Sequence, residues 1–231
     1  MAKLGRPKKP KVYIRKKVPK KAPPLTSNRT LTLERKKINL LNKARSKQME
    51  NRIAKTLSGR RIPMSGAAAA FKGDVEVLFE NYPGKYIVEC KLSSQKARTT
   101  REPFIPIRLD WFPKITLEAS NMNAKFGIII MHYQDFGNDY VFVKRSIVSQ
   151  LITKYESPYA DILEGLLSLS SVIDMRYTQA GKARTGYDLQ RKDIELAMIQ
   201  VKGFGGIRVI TPDDEYLVIH LSTWRVVVDH M

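Results

Sequence analysis

Seventeen of the chain's 41 lysines and arginines fall within its first 50 residues, beside only two acids, Glu34 and Glu50. That segment carries +15 of a total net charge of +19, and the other 181 residues hold 24 basic and 20 acidic groups. A run so charged repels itself and cannot bury enough apolar surface to fold alone. Whatever core the chain builds must come from the nearly balanced remainder, which is long enough for one sizeable core or two small domains. Pro7, Pro10, Pro19, Pro23 and Pro24, set among lysines, make the start extended. The expected organisation is a basic disordered arm over 1–31, a core over 32–154, and an α+β extension or small domain over 155–231.

A strongly basic arm attracts polyanions, and nucleic acid is the commonest, because neutralising phosphates releases counterions. A targeting arm or attachment to anionic lipid would use the same charge. Gly5-Arg6-Pro7 followed by Lys8-Lys9 resembles the core of an AT-hook. Arg6, Lys8 and Lys9 are therefore candidate DNA contacts, whether in a minor groove or through generic phosphate binding. The 43% hydrophobic fraction suits a soluble globular protein, and no apolar run is long enough to span a bilayer. The single cysteine, Cys90, precludes an intramolecular disulfide and a Cys-rich metal site. We therefore expect no membrane partner and an intracellular, cytoplasmic location (that of a host cell if the chain is viral).

Helical spacing of Ile38, Leu41, Met49, Ile53 and Leu57 predicts a helix from about Thr32 to a stop at Gly59. Glu50 lies along the edge of that stripe, either as a rim residue paired with a base or as part of a site. Strand-like runs follow at Asp74–Phe79 and Lys85–Leu92, around the turn formers Asn81–Gly84. Asp110 is placed to cap a helix from Trp111 to Met122, and Ser146 to cap one through Tyr155. Phe126–Tyr133 and Tyr140–Val143 read as strands. Further on, Asp161–Leu169 and Asp188–Lys202 read as helices, and Ile207–Thr211, Tyr216–Leu221 and Trp224–Val228 as strands. Pro212-Asp213-Asp214 reads as a hairpin turn.

A four-residue turn at Asn81–Gly84 pairs Glu80 with Lys85, Glu76 with Glu89, and Asp74 with Lys91. Paired residues share a face, and side chains alternate along each strand. Asp74, Glu76, Glu89 and Lys91 then share one face, with roughly 5 Å between paired positions. Val75, Val77, Val88, Cys90 and Leu92 share the other, which is uniformly apolar. Clustered carboxylates repel unless a cation relieves them, and hard oxygen donors suit Mg²⁺ or Mn²⁺. A neighbouring lysine can position or deprotonate a water and stabilise charge developing on phosphorus. A salt-bridged solvent face would have the same composition, and that alternative stays open on the strand pattern alone.

Gly73-Asp74-Val75-Glu76-Val77 followed by Ile87-Val88-Glu89-Cys90-Lys91 resembles the motif of the PD-(D/E)xK nuclease superfamily, with Gly73 standing where the family has proline. The order of an acid-bearing helix (Glu50), a basic loop with Ser65-Gly66, then Asp74, then Glu89-x-Lys91 is similar to archaeal-type Holliday junction resolvases and related phage endonucleases. Ser93-Ser94, Ile107–Trp111, Glu118-Ala119 and Phe126–Met131 extend the likeness, which covers about 45–145. The resemblance implies an α/β fold with a mixed central sheet flanked by helices, restriction-endonuclease-like. It implies Asp74, Glu89, Lys91 and Glu50 as catalytic residues. Asp74, Glu89, Glu50 and the Cys90 backbone carbonyl would be ligands of Mg²⁺ or Mn²⁺.

The activity so implied is endonucleolytic hydrolysis of DNA, branched DNA in particular, by a homodimer. The alternatives are a restriction, repair or recombination nuclease of the same fold, or a non-catalytic nucleic-acid-binding protein. Arg60, Arg61 and Ser65 are the expected phosphate contacts leading into the site. Gln95, Lys96, Arg98 and Arg101 are further contacts or solvated loop charges. His132, His220 and His230 lack ligand-like spacing, and Trp111 reads as core more readily than as a base-stacking platform.

Overall fold

The computed structural model describes residues 28–63, 73–80, 83–93, 103–134, 137–155, 160–176, 186–201 and 204–229. Arg6, Lys8, Lys9, Ser65, Gln95, Lys96, Arg98 and Arg101 lie outside them. In chain order the elements are α1 (Asn28–Thr56), β1 (Arg60–Arg61), β2 (Val75–Leu78), β3 (Lys85–Ser93), β4 (Phe104–Arg108), α2 (Trp111–Asn121), β5 (Gly127–Tyr133), β6 (Asp139–Lys144) and α3 (Arg145–Tyr155). There follow α4 (Ala160–Leu167), β7 (Val172–Asp174), β8 (Gly186–Gln190), α5 (Arg191–Ala197), β9 (Ile199–Val201), β10 (Phe204–Ile210), β11 (Glu215–His220) and α6 (Leu221–Val228). The chain divides into two units, Met1–Asn39 and Leu40–Met231. The described part of the first is the opening of α1, and the second contains the sheets.

The sheet has the order β1-β2-β3-β5-β6-β11-β10-β7, with β9 also paired to β10, antiparallel, at its start. The β3/β5 and β10/β7 pairs are parallel and the others antiparallel, so this is a mixed sheet in an α/β protein. A separate ribbon pairs β4 with β8. The central strands are apolar almost throughout because both faces are covered. On one face Val75, Val88, Ile128, Ile130, Val141, Leu217 and Ile219 pack with side chains of α1, α3, α4 and α6. On the other, Ile87, Ile129, Met131, Phe142 and Val218 pack with α2, α5 and the β4–β8 ribbon. β10 and β11 extend the central sheet, one of the two arrangements that periodicity left open.

α1 begins at Asn28, earlier than the apolar spacing predicts, and buries its stripe only from Met49 through Leu57. Ile38 and Leu41, part of the predicted stripe, are exposed. Trp224–Val228 is helix α6, not a strand. Leu221, Trp224, Val227 and Val228 recur at helical spacing and are all buried, so tertiary packing overrides the strand preference of three consecutive valines. Asp188–Lys202 is likewise not one helix but strand, short helix and strand, because β8 completes a ribbon with β4, distant in sequence. Asp110 precedes α2 without a side-chain cap bond; its carboxylate takes the Arg108 guanidinium instead, at 2.7 Å. Ser146 falls inside α3, which starts at Arg145.

Candidate active site

The β2–β3 hairpin pairs Val75 with Val88, Val77 with Tyr86 and Leu78 with Lys85. The connection thus runs from Phe79 to Gly84, closed by the Phe79 N–H donating to the Gly84 carbonyl. The four-residue turn and its Glu76–Glu89 and Asp74–Lys91 pairs are corrected accordingly: Glu76 lies opposite Ile87, and the register carries Asp74 to a place opposite Glu89. An apolar pattern of period two cannot distinguish registers that differ by two, since both bury the same valines. For that reason the division of faces stands, with Asp74, Glu76, Glu89 and Lys91 on one side of the hairpin. Ile87 shares that side and is fully buried, an apolar position among the polar ones.

Asp74 is held at three points. Its N–H donates to the Val88 carbonyl at 2.7 Å, and its carbonyl accepts from Ile62 at 2.9 Å. Its Oδ2 accepts from the Cys90 N–H at 2.8 Å, which fixes the carboxylate beside the Glu89-Cys90-Lys91 segment. Gly73, just before it, has φ +78°, where a proline ring cannot go and L side chains rarely do. Gly73→Ala should lower stability by about 1–2 kcal/mol, and Gly73→Pro by more. Urea midpoints measure both; an unchanged midpoint for the proline variant would refute this reading of the turn.

Glu89 and Lys91, two apart on β3, form an ion pair at 2.6 Å. The Lys91 ammonium also lies 4.6 Å from the centre of the Trp111 ring, at the start of α2. Trp111 is partly buried against the core, so it serves packing and the lysine together. Glu50, on α1, meets Arg61 at 2.6 Å and is only 13% exposed at its side chain. Glu50 therefore has the basic partner expected of a rim residue, and its charge acts on Cys90. Glu76 is different. Lys85 at 2.8 Å and Arg60 at 2.9 Å clamp it across β1, β2 and β3, and those hydrogen bonds, that of Lys85 first, hold its carboxyl below the usual range. Arg60, 80% exposed beyond that bond, and Arg61 are thus engaged with carboxylates.

Cys90 points to the α1 side, packed against the apolar core there. Burial raises its thiol pKa, and the charges of Asp74, Glu50, Glu89 and Asp139 raise it further. Four carboxylates thus lie close enough to act on Cys90, three of them ion-paired with Arg61, Lys91 and Arg52. Asp139, on β6, has no counterpart among the sequence candidates. It takes a two-pronged bond from Arg52 of α1, with Nη2 to Oδ1 at 2.8 Å, and its Oδ1 lies 2.9 Å from His132 Nδ1. Nothing local marks it in the sequence, because Arg52 lies 87 residues away.

Asp74, Glu89, Glu50 and the Cys90 carbonyl offer hard oxygens, the donor chemistry that Mg²⁺ or Mn²⁺ requires. Among the described residues no three acidic, histidine or cysteine side chains are gathered as a ready metal cage. Mg²⁺ does not need one, since it commonly takes one or two carboxylates and keeps several waters. Among the same residues no helix is long and apolar enough to cross a membrane. Comparison with family models, curated proteins and solved structures returns no match.

Proposed function

We propose that this chain is a metal-dependent DNA endonuclease of the PD-(D/E)xK type, with a restriction-endonuclease-like fold, acting on branched DNA in the manner of a Holliday junction resolvase. The observation that best supports the reading is a carboxylate bound to the backbone of a segment that itself carries an acid–lysine pair. Asp74 is tied to the Cys90 N–H, Glu89 and Lys91 pair on the next strand, and Glu50 comes from the preceding helix. Asp74, Glu89, Glu50 and the Cys90 carbonyl would hold Mg²⁺. When bound, the ion supplies Lewis-acid polarisation of the phosphodiester and a more acidic water.

The chain's own residues do the rest. Glu89 fixes the Lys91 ammonium, which then donates a hydrogen bond to the attacking water or to a phosphoryl oxygen as negative charge grows there. The water oxygen forms a bond to phosphorus while the bond to the leaving sugar oxygen breaks, and that oxygen takes up a proton. Excess positive charge on residues 1–50 brings the DNA backbone near. Two paired cuts across a junction call for a homodimer, which sedimentation with junction DNA tests; a monomer under all conditions would point to a nicking or restriction-like nuclease.

The ion pairs favour a second reading. Glu50, Glu76 and Glu89 each have a basic partner, as they would in a nucleic-acid-binding protein that performs no chemistry. A cleavage assay with and without Mg²⁺, on a four-way junction beside linear duplex, separates the two. Mg²⁺-dependent cutting preferring the junction supports our proposal; binding without cutting in Mg²⁺ or Mn²⁺ supports the rival. Removal of residues 1–30 should weaken DNA binding broadly and flatten its dependence on salt, because contacts from such a segment go mainly to phosphate. An unchanged salt slope would take the arm out of DNA binding.

A further inference from the structure

Beside Lys91 lies a cavity of about 310 Å³ between α1, the end of β3, β4 and the start of α2. Leu92, Ile105 and the Trp111 indole form its apolar wall. Asn42, Ser46 and Gln134 supply amide and hydroxyl groups, and Arg45 and Lys91 supply positive charge. The Arg45 guanidinium is steadied by the Gln134 side-chain oxygen at 3.3 Å. Arg45, Leu92 and Gln134 also line an adjoining cavity of about 290 Å³ that continues to Gln48, Arg52 and His132. The two form one groove beneath α1, within the unit Leu40–Met231.

We infer that this groove takes an unstacked nucleotide next to the reacting phosphate, its base against Trp111 and its flanking phosphate at Arg45. The inference rests on the nuclease reading above and names the substrate feature that the same site selects. Three observations carry it. The lining pairs an aromatic wall with side-chain amides and hydroxyls, which suits a flat, polar-edged base better than an aliphatic ligand. Two cations, Arg45 and Lys91, line it, which suits a segment that carries phosphates on both sides of a base. Lys91 belongs to both places, since its ammonium touches Glu89 on one side and the indole on the other. A base can reach such a groove only after leaving the duplex stack, and that step is easiest at branches, flaps and unpaired ends. Selectivity for branched DNA then arises from the pocket rather than from reading sequence.

Trp111 and Trp224 are the two tryptophans, and Trp224 is fully buried, so a ligand-induced change in indole emission reports on Trp111. The full chain is titrated in EDTA, where hydrolysis is not measured, with three probes at equal phosphate: a single-stranded oligonucleotide, the same strand made abasic, and blunt duplex. We expect saturable quenching by the single strand and little by the abasic strand or the duplex. Trp111→Ala should bind the single strand about tenfold or more weakly while affinity for the abasic strand is kept, and Trp111→Phe should restore most of the loss. Equal quenching by the abasic strand, or equal single-strand affinity of wild type and Trp111→Ala, overturns the inference. Base-dependent quenching in a protein that never cleaves upholds the groove while removing the nuclease reading. Mg²⁺-dependent cleavage without base-dependent quenching does the reverse.

Discussion

Lys91→Met is expected to lower Mg²⁺-dependent cleavage by about 10²-fold or more, well beyond the loss of DNA affinity that goes with its place in the groove. Methionine keeps the length that packs on Trp111 but removes the ammonium that Glu89 holds at 2.6 Å, so the loss isolates charge from packing. Asp74 needs a subtler pair of variants, because its carboxylate also accepts the Cys90 N–H. Asp74→Ala removes the proposed metal donor and leaves that N–H without its acceptor, so both activity and stability should fall. Asp74→Asn retains an oxygen for the N–H while losing the charge. It should therefore unfold near the wild-type midpoint and still cleave poorly. Single-turnover cleavage of a four-way junction, read with binding in Ca²⁺ or EDTA, distinguishes these effects. Full cleavage by Lys91→Met and Asp74→Asn alike would sink the catalytic assignment.

The hairpin shows what a sequence can and cannot disclose about such a site. Alternation along Asp74–Leu78 and Lys85–Leu92 separates the polar face from the apolar one, and the structure keeps that separation. The pairing partners depend instead on loop length, and a shift of two residues changes every partner while burying the same side chains. Glu76 illustrates the consequence. By composition it is as good a metal donor as Asp74, yet Arg60 of β1 and Lys85 of β3 occupy it. Helix α6 and the β4–β8 ribbon are illegible for another reason: both are decided by long-range burial. Trp224 is buried against Tyr86 and Phe126, and β8 finds β4 across the intervening sheet strands. Trp111 reads as core from its apolar neighbours, and it is partly core; only the position of Lys91 reveals its second surface.

Arg52→Met is expected to be among the most destabilising single changes at a charged position, and to weaken the metal site indirectly. Asp139 is 5% exposed at its side chain, Arg52 is its cationic partner, and His132 Nδ1 lies 2.9 Å from it. Breaking a fully buried ion pair from one side costs about 3–5 kcal/mol. The Arg52 side chain is 43% exposed, so water can partly replace it, and about 2 kcal/mol is the reasonable expectation. Burial works to raise the Asp139 pKa, but the hydrogen bonds from Arg52 and His132 outweigh it and the net shift is downward. A carboxyl depressed in the folded state contributes stability above its unfolded value of about 3.9, and that contribution disappears as pH falls through the lower folded value. The gap in urea midpoint between wild type and Asp139→Asn should thus be full at pH 7 and narrow below about pH 4. Arg52 lies two residues after Glu50 on α1, and its bond to β6 anchors that helix to the sheet beside Met49 and Ile53. Loosening the anchor should therefore raise the Mg²⁺ concentration needed for half-maximal cleavage, with a smaller effect on the rate at saturating metal. A stable Arg52→Met variant with an unchanged Mg²⁺ requirement would show that Glu50 is held by Arg61 and apolar packing alone.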